Sequence, residues 1–123
     1  MSGSNIVADT SFLINFFNGN KFTREFIEGR DIWISGITEI EILASPKISP
    51  AERKLVKEFI SSVIVVDLLG PVKEIAVQIR LKSKIKLPDA VIAATALYLN
   101  FPLFSYDKGF QKITDLNLLL LEL

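Results

Sequence analysis

Hydrophobic and polar positions along the 123-residue chain sort into short β-branched runs separated by longer stretches of helical periodicity. "NIVA" (5–8) predicts a buried strand; "DTSFLINFF" (9–17) turns helical straight after it, and a second helix is predicted over 21–28. "DIWIS" (31–35) predicts the next strand, and "GITEIEILAS" (36–45) the helix behind it. Pro46 and Pro50 punctuate the chain before "PAERKLVKEFISS" (50–62), a strongly amphipathic helix, and "VIVVDL" (63–68) has the plainest strand pattern of all. Helices over 71–84 and 88–100 follow, the first opening on a proline, which suits the first turn. "PLFSYD" (102–107) predicts a strand ending on an acid, and "LLLLEL" (118–123) a final edge strand. Strands alternating with helices predict right-handed βαβ units: one α/β domain over 1–123, its mostly parallel sheet covered on both faces. Ligands bind such sheets beyond the carboxyl ends of the strands.

One stretch asks for an explanation. "LPDAVIAATALYL" (87–99) is almost wholly apolar, and Asp89 is its only charge. Three further acids fall on the same predicted edge: Asp9 directly after the first strand, Glu41 on the helix after the second, and Asp107 at the end of the 102–107 strand. Each has an ordinary structural explanation. Asp9 suits a helix N-cap, Thr38 and Glu41 fit a capping box, Asp89 behind Pro88 suits a first helical turn, and Asp107 in "YDKGF" suits a turn. Periodicity alone leaves Glu39 and Glu41 open as alternatives. Converging together, four carboxylates would raise one another's pKa values unless they shared a cation. A rigid apolar helix behind Asp89 would fix its carboxylate closely, as metal-assisted chemistry requires.

Composition narrows the chemistry. The chain has no cysteine and no histidine, which removes disulfides, zinc fingers, thiolate nucleophiles and histidine-based acid–base pairs. Oxygen-only ligation selects Mg²⁺ or Mn²⁺. The 14 basic and 14 acidic residues cancel, so any contact with a polyanion must come from local patches. Arg80, Lys82, Lys84 and Lys86 lead into Asp89, and Lys108 and Lys112 flank Asp107; a solvated helix face is the plain alternative. No apolar run is long enough for a membrane span, and "MSGSN" lacks the order of a secretory signal. The expected location is cytoplasmic.

"IVADTSFLI" (6–14), "ISGITEIEIL" (34–43), "KLPDAVIAATAL" (86–97) and "LFSYDKGFQKI" (103–113) resemble the four motifs of PIN-domain ribonucleases, especially VapC-type toxins. The resemblance covers nearly the whole chain; only 46–85 lacks a diagnostic motif. It implies a three-layer α/β/α sandwich and Mg²⁺ or Mn²⁺ held by Asp9, Glu41, Asp89 and Asp107, with Glu41 chosen over Glu39 as the residue three after the motif threonine. Thr10, Ser11 and Ser105 match the family's small hydroxyl positions and, with Arg80, Lys84, Lys86 and Lys108, are the expected substrate contacts. The implied activity is endonucleolytic RNA hydrolysis leaving a 5′-phosphate and a 3′-hydroxyl; the implied partners are a small VapB-type antitoxin and a second copy of the chain. "ASPKIS" (44–49) departs from the pattern, since many VapC proteins carry Gly and Arg shortly after the motif glutamate. A homodimer is also suggested by Phe12, Phe16, Phe17, Phe22 and Phe26, which crowd the early helices.

Other classes fit less well. A haloacid-type phosphotransferase needs an acid where Ser11 stands, and a receiver domain needs an acidic pair near the first strand, where Asp9 is alone. A PIN-like RNA-processing factor, for instance in ribosomal RNA maturation, shares the site chemistry and differs in biology. A non-catalytic interaction module would not need all four acids.

Overall fold

The computed structural model describes residues 4–123, so Met1–Gly3 of the opening "MSGSN" lie outside it. Five parallel strands form one sheet in the order β3-β2-β1-β4-β5. The chain runs β1 (Asn5–Ala8), α1 (Thr10–Phe17), α2 (Lys21–Ile27), β2 (Asp31–Ser35), α3 (Gly36–Leu43), α4 (Pro50–Ser62) and β3 (Ile64–Val66). It continues through α5 (Gly70–Lys82), α6 (Leu87–Leu99), β4 (Leu103–Ser105), a 3-10 turn (Lys108–Lys112) and β5 (Leu118–Leu120). The first three strands build outward from β1 in one direction. The chain then crosses back through α5 and α6 and builds outward in the other. Strand order therefore reverses between β1 and β4, and a crevice opens at their carboxyl ends.

Side chains alternate across the sheet. Ile6 and Ala8 of β1 join one core with Phe12, Leu13, Ile42 and Val56 from α1, α3 and α4. Val7 points the other way, into a core with Val72, Ile79 and the buried face of α6. The result is the expected three-layer α/β/α sandwich. Helix α6 is buried continuously from Ala90 to Ala96, which explains its lack of polar residues. Its one hydroxyl there, on Thr95, donates to the Val91 carbonyl.

Departures from the sequence reading have local causes. The 63–68 run yields only three residues of strand, because β3 is an edge that pairs with β2 alone and turns at Asp67–Leu69. The 102–107 strand stops at Ser105, because Asp107 caps a 3-10 turn by accepting from the Gly109 amide. The phenylalanines of the early helices mostly turn inward: Phe12 is fully buried, Phe16, Phe17 and Phe26 are half-buried, and only Phe22 is exposed. Phe16 and Phe17 pack on Phe59 of α4, and Phe26 on Phe104 of β4. The apolar surface expected on these helices is therefore largely core.

Ala90, Ala93 and Ala94 have no exposed surface, so α6 sits on the sheet with room for methyl groups only. Ala94→Leu should destabilise the fold by about 1–3 kcal/mol through overpacking, read as a fall in the urea midpoint at unchanged slope.

Candidate active site

Asp9 stands where the strand order reverses. Its amide donates to the Phe104 carbonyl at 3.2 Å, continuing the ladder between β1 and β4. Its side chain then caps α1, accepting from the Phe12 amide at 2.8 Å. Two hydroxyls complete the shell: Ser11 donates at 2.9 Å and Ser105 at 2.5 Å. Both also accept from the chain beyond β4, Ser105 from the Asp107 amide at 2.8 Å and Ser11 from the Tyr106 amide at 3.0 Å. Asp9 is 3 % exposed, and burial pushes its carboxyl up to about 6. The bonds from Ser105, Phe12 and Ser11 oppose that rise, and the nearby Asp107 charge adds to it.

The other three acids are linked to Asp9 and to one another by charge. Glu41 accepts from Thr10 Oγ1, which ties α3 to the start of α1. Asp89, half-buried in the first turn of α6, is raised above the usual carboxylate range by burial and by the charges of Asp107 and Glu41, against a lowering by Lys86. Asp107 is exposed, with Oδ1 held by the Gly109 amide at 2.8 Å. Each acid thus communicates with at least one other.

The two ordinary readings of Glu41 and Glu39 now separate. No capping box forms at Thr38 and Glu41: Ser35 caps α3 by accepting from the Ile37 amide, and Thr38 is buried with its hydroxyl unpartnered. A capping box forms instead at Ser49 and Glu52, on α4. Glu39 lies beside Asp67 and Leu68 in a different groove.

The expected substrate contacts divide in the same way. Ser105 is fully buried, so the role of touching substrate does not fit it; its hydroxyl instead links Asp9 to the Asp107 amide. Thr10 and Ser11 likewise spend their hydroxyls on Glu41 and Asp9. Lys84, Lys86 and Lys108 are exposed, with Lys86 acting on Asp89. Arg80 lines a groove with Leu81 and Leu87 on the outer side of α5 and α6. Gly109 escaped the sequence reading. A Cβ there would stand 3.1 Å from Asp107 Oδ1, so the absent side chain lets its amide reach the acid. The "D-x-G" spacing was the available signal.

The donor set fits a hard divalent cation. The groups acting on Asp9 are hydroxyls, an amide and another carboxylate, and only Lys86 offsets the charge on Asp89. Among the described residues no three acids are close enough to enclose an ion as they stand. What links them is charge: Asp107 acts on Asp9, and Asp107 and Glu41 act on Asp89.

In metal-free protein the ionised Asp9 is costly in the fold and not in the unfolded chain. Its contribution to stability is complete below about pH 3.8 and is lost as the pH rises through about 6. Asp9→Asn should therefore raise metal-free stability at pH 7 by on the order of 2 kcal/mol. That gain should shrink towards zero near pH 4 in urea melts with EDTA. A variant equally destabilised at both pH values would show that the hydrogen bonds outweigh the burial.

The description of the PIN domain family matches residues 6–116. No curated protein sequence matches the chain. Among solved structures, a chain of a toxin–antitoxin complex from Klebsiella pneumoniae superposes with a TM-score of 0.84 at 26% identity, over 96% of this chain and 99% of that one. A chain of the VapBC2 complex from Rickettsia felis, bound to a fragment of promoter DNA, gives 0.83 at 19% identity over 96% and 99%. VapC20 from Mycobacterium tuberculosis, a toxin that cleaves the sarcin–ricin loop, gives 0.71 at 14% identity over 89% and 95%. The last two are similar in fold alone. With the family match running from the first strand to the turn before the last, the chain belongs to the PIN domain family.

Proposed function

We propose that this protein is a metal-dependent endoribonuclease, acting as the toxin of a VapBC-type pair, restrained by a small VapB-type antitoxin and working as a homodimer. The observation that supports this best is the mutual charge effect among Asp9, Asp89, Asp107 and Glu41 near the point where strand order reverses, with Lys86 the one cation that acts on Asp89. Likeness to a toxin–antitoxin complex over nearly the full length of both chains supports the biological role.

Asp9, Glu41, Asp89 and Asp107 are the residues to hold Mg²⁺ or Mn²⁺. Such an ion, when bound, supplies a Lewis acid that makes water nucleophilic at neutral pH and offsets charge on the scissile phosphate. The chain supplies position. Ser11 and Ser105 orient the Asp9 carboxylate, and Thr10 orients Glu41. No side chain caps α6, so its first amides are left for an anionic ligand. Lys84, Lys86 and Lys108 are exposed and are the residues to take the flanking RNA phosphates. Attack by water on phosphorus, with the P–O3′ bond breaking and the 3′-oxygen leaving as the protonated hydroxyl, gives a 5′-phosphate on one fragment and a 3′-hydroxyl on the other, with no cyclic phosphate.

Asp89→Asn tests this reading. It keeps the size of the side chain and removes one anionic ligand, so cleavage of an RNA panel should fall by about a hundredfold or more. The metal-free variant should be no less stable than the parent, because no charge is buried there and repulsion from Asp107 and Glu41 is relieved. A residue that only starts a helix would behave oppositely, with activity kept and about 0.3–1 kcal/mol of stability lost. Cleavage by the purified parent should also stop in EDTA and return with Mg²⁺ or Mn²⁺; undiminished cleavage in EDTA sinks the metal-dependent reading.

A further inference from the structure

A cavity of about 270 Å³ lies between the second half of α5, the end of α6 and the chain just past the 3-10 turn. Its floor is Ile75 and Ile79 of α5, Leu97 of α6, and Ile113. Ile79 and Ile113 belong to the core behind α6, and Ile75 and Leu97 pack against that core. The floor is therefore fixed by the fold. The rim is polar and exposed, with Lys82, Lys112, Gln78 and Asp115. An apolar floor under a few polar groups is the usual makeup of a ligand pocket, and this one is near the lower end of their size range, about 300 Å³.

Two hydrogen bonds tie the mouth of this cavity to the acids. Ser83 Oγ donates to the Lys112 carbonyl at 3.3 Å, and Lys112 Nζ donates to the Lys84 carbonyl at 3.2 Å. They join the loop that leads into Asp89 to the turn that Asp107 caps. Lys112 closes that turn, so it stands roughly 10 Å along the chain from Asp107, at the ~2.0 Å rise per residue of a 3-10 helix. A stacked nucleic-acid strand covers that distance in about three nucleotides, at roughly 3.4 Å each.

The rim chemistry indicates the occupant. An uncharged apolar floor suits the face of a nucleobase, and Lys82 and the remaining donors of Lys112 suit its phosphate. Asp115 repels phosphate and accepts from an exocyclic amino group, which adenine, cytosine and guanine carry and uracil lacks. Single-stranded RNA offers unstacked bases to pockets of this kind.

We propose that this cavity takes one splayed-out nucleotide of the RNA substrate, with an amino-bearing base on the isoleucine and leucine floor and its phosphate on Lys82 and Lys112. The inference rests on the endoribonuclease reading and adds to it a specificity site outside the crevice.

Amide chemical shifts of the isotope-labelled full chain, titrated in EDTA with each nucleoside 5′-monophosphate, test the site without any cleavage. The adenosine, cytidine and guanosine monophosphates should shift Ile75, Ile79, Leu97 and Ile113 saturably. Uridine monophosphate should bind about fivefold more weakly, and inorganic phosphate should leave the floor unmoved. Gln78→Trp puts a ring into the cavity from an exposed position, so it should abolish these shifts while keeping the parent's thermal melt. Lys82→Glu should weaken binding by about tenfold. In cleavage assays, an RNA made abasic at one position at a time should lose about tenfold in kcat/KM at one position flanking the scissile bond. Gln78→Trp should show no penalty there. A floor that no nucleotide shifts overturns the proposal whatever the nuclease assay gives, and so do shifts that Gln78→Trp leaves in place. Equal binding of uridine monophosphate overturns the role of Asp115, and an abasic penalty that Gln78→Trp retains overturns the link to substrate. Floor shifts in a protein that cleaves no RNA keep the nucleotide site and overturn the endoribonuclease reading instead.

Discussion

A carboxylate can be buried only if its lone pairs are met, and at Asp9 that requirement organises the crevice around it. Its acceptor sites are filled by the Phe12 amide and by the hydroxyls of Ser11 and Ser105. Those hydroxyls in turn accept from the amides of Tyr106 and Asp107, the first two residues past β4. One side chain therefore joins the end of β1, the start of α1 and the exit from β4, which are separate in sequence and adjacent only because strand order reverses there. The exit from β4 is what carries Asp107. Burying the first acid and aiming the fourth are consequences of one hydrogen-bond network.

The opposite wall is built on different physics. Asp89 is positioned by the packing of α6, whose buried run of Ala, Val and Ile leaves the helix no freedom to slide or rotate on the sheet. Its carboxylate is held at the mouth of a dry helix while burial and two neighbouring charges act against its ionisation. The molecule tolerates this because the cost is local. The two cores on either face of the sheet are built from aliphatic and aromatic side chains. Stability resides in the layers, and the strain of like charges is confined to the edge where the layers end.

Much of this was legible in the sequence. Every predicted strand and helix exists, because the β-branched runs and the 3.6-residue periodicities are each produced by a sheet covered on both faces. Strand ends were less legible. Hydropathy extends through "VIVVDL" and "PLFSYD", but pairing stops where a neighbour is missing or a side chain caps a turn. The four acids could be placed on one edge from topology alone. The fate of Ser105 could not, since a small hydroxyl reads the same in sequence whether it points at substrate or is sealed beneath a carboxylate. The phenylalanines misled for a related reason. Their density suggests surface, but Phe16 and Phe17 pack against Phe59, far along the chain on α4, a contact no local pattern contains.

The ordinary and the functional readings of these acids do not compete in the way the sequence suggests. Asp9 is an N-cap and Asp107 does cap a turn. In each case the cap bond engages a carboxylate oxygen and thereby sets the plane of the group. A free aspartate must lose rotamer entropy when it binds a ligand. A capping aspartate has lost it already, on folding, and the helix or turn it starts gains stability in return. Glu41 reaches the same end through a side-chain donor, Thr10, because its place in mid-helix offers no spare amide. Local structure thus orients the acids, and burial and mutual repulsion leave them with unmet charge. A site so prepared gains most from a ligand that supplies positive charge and accepts oxygen donors.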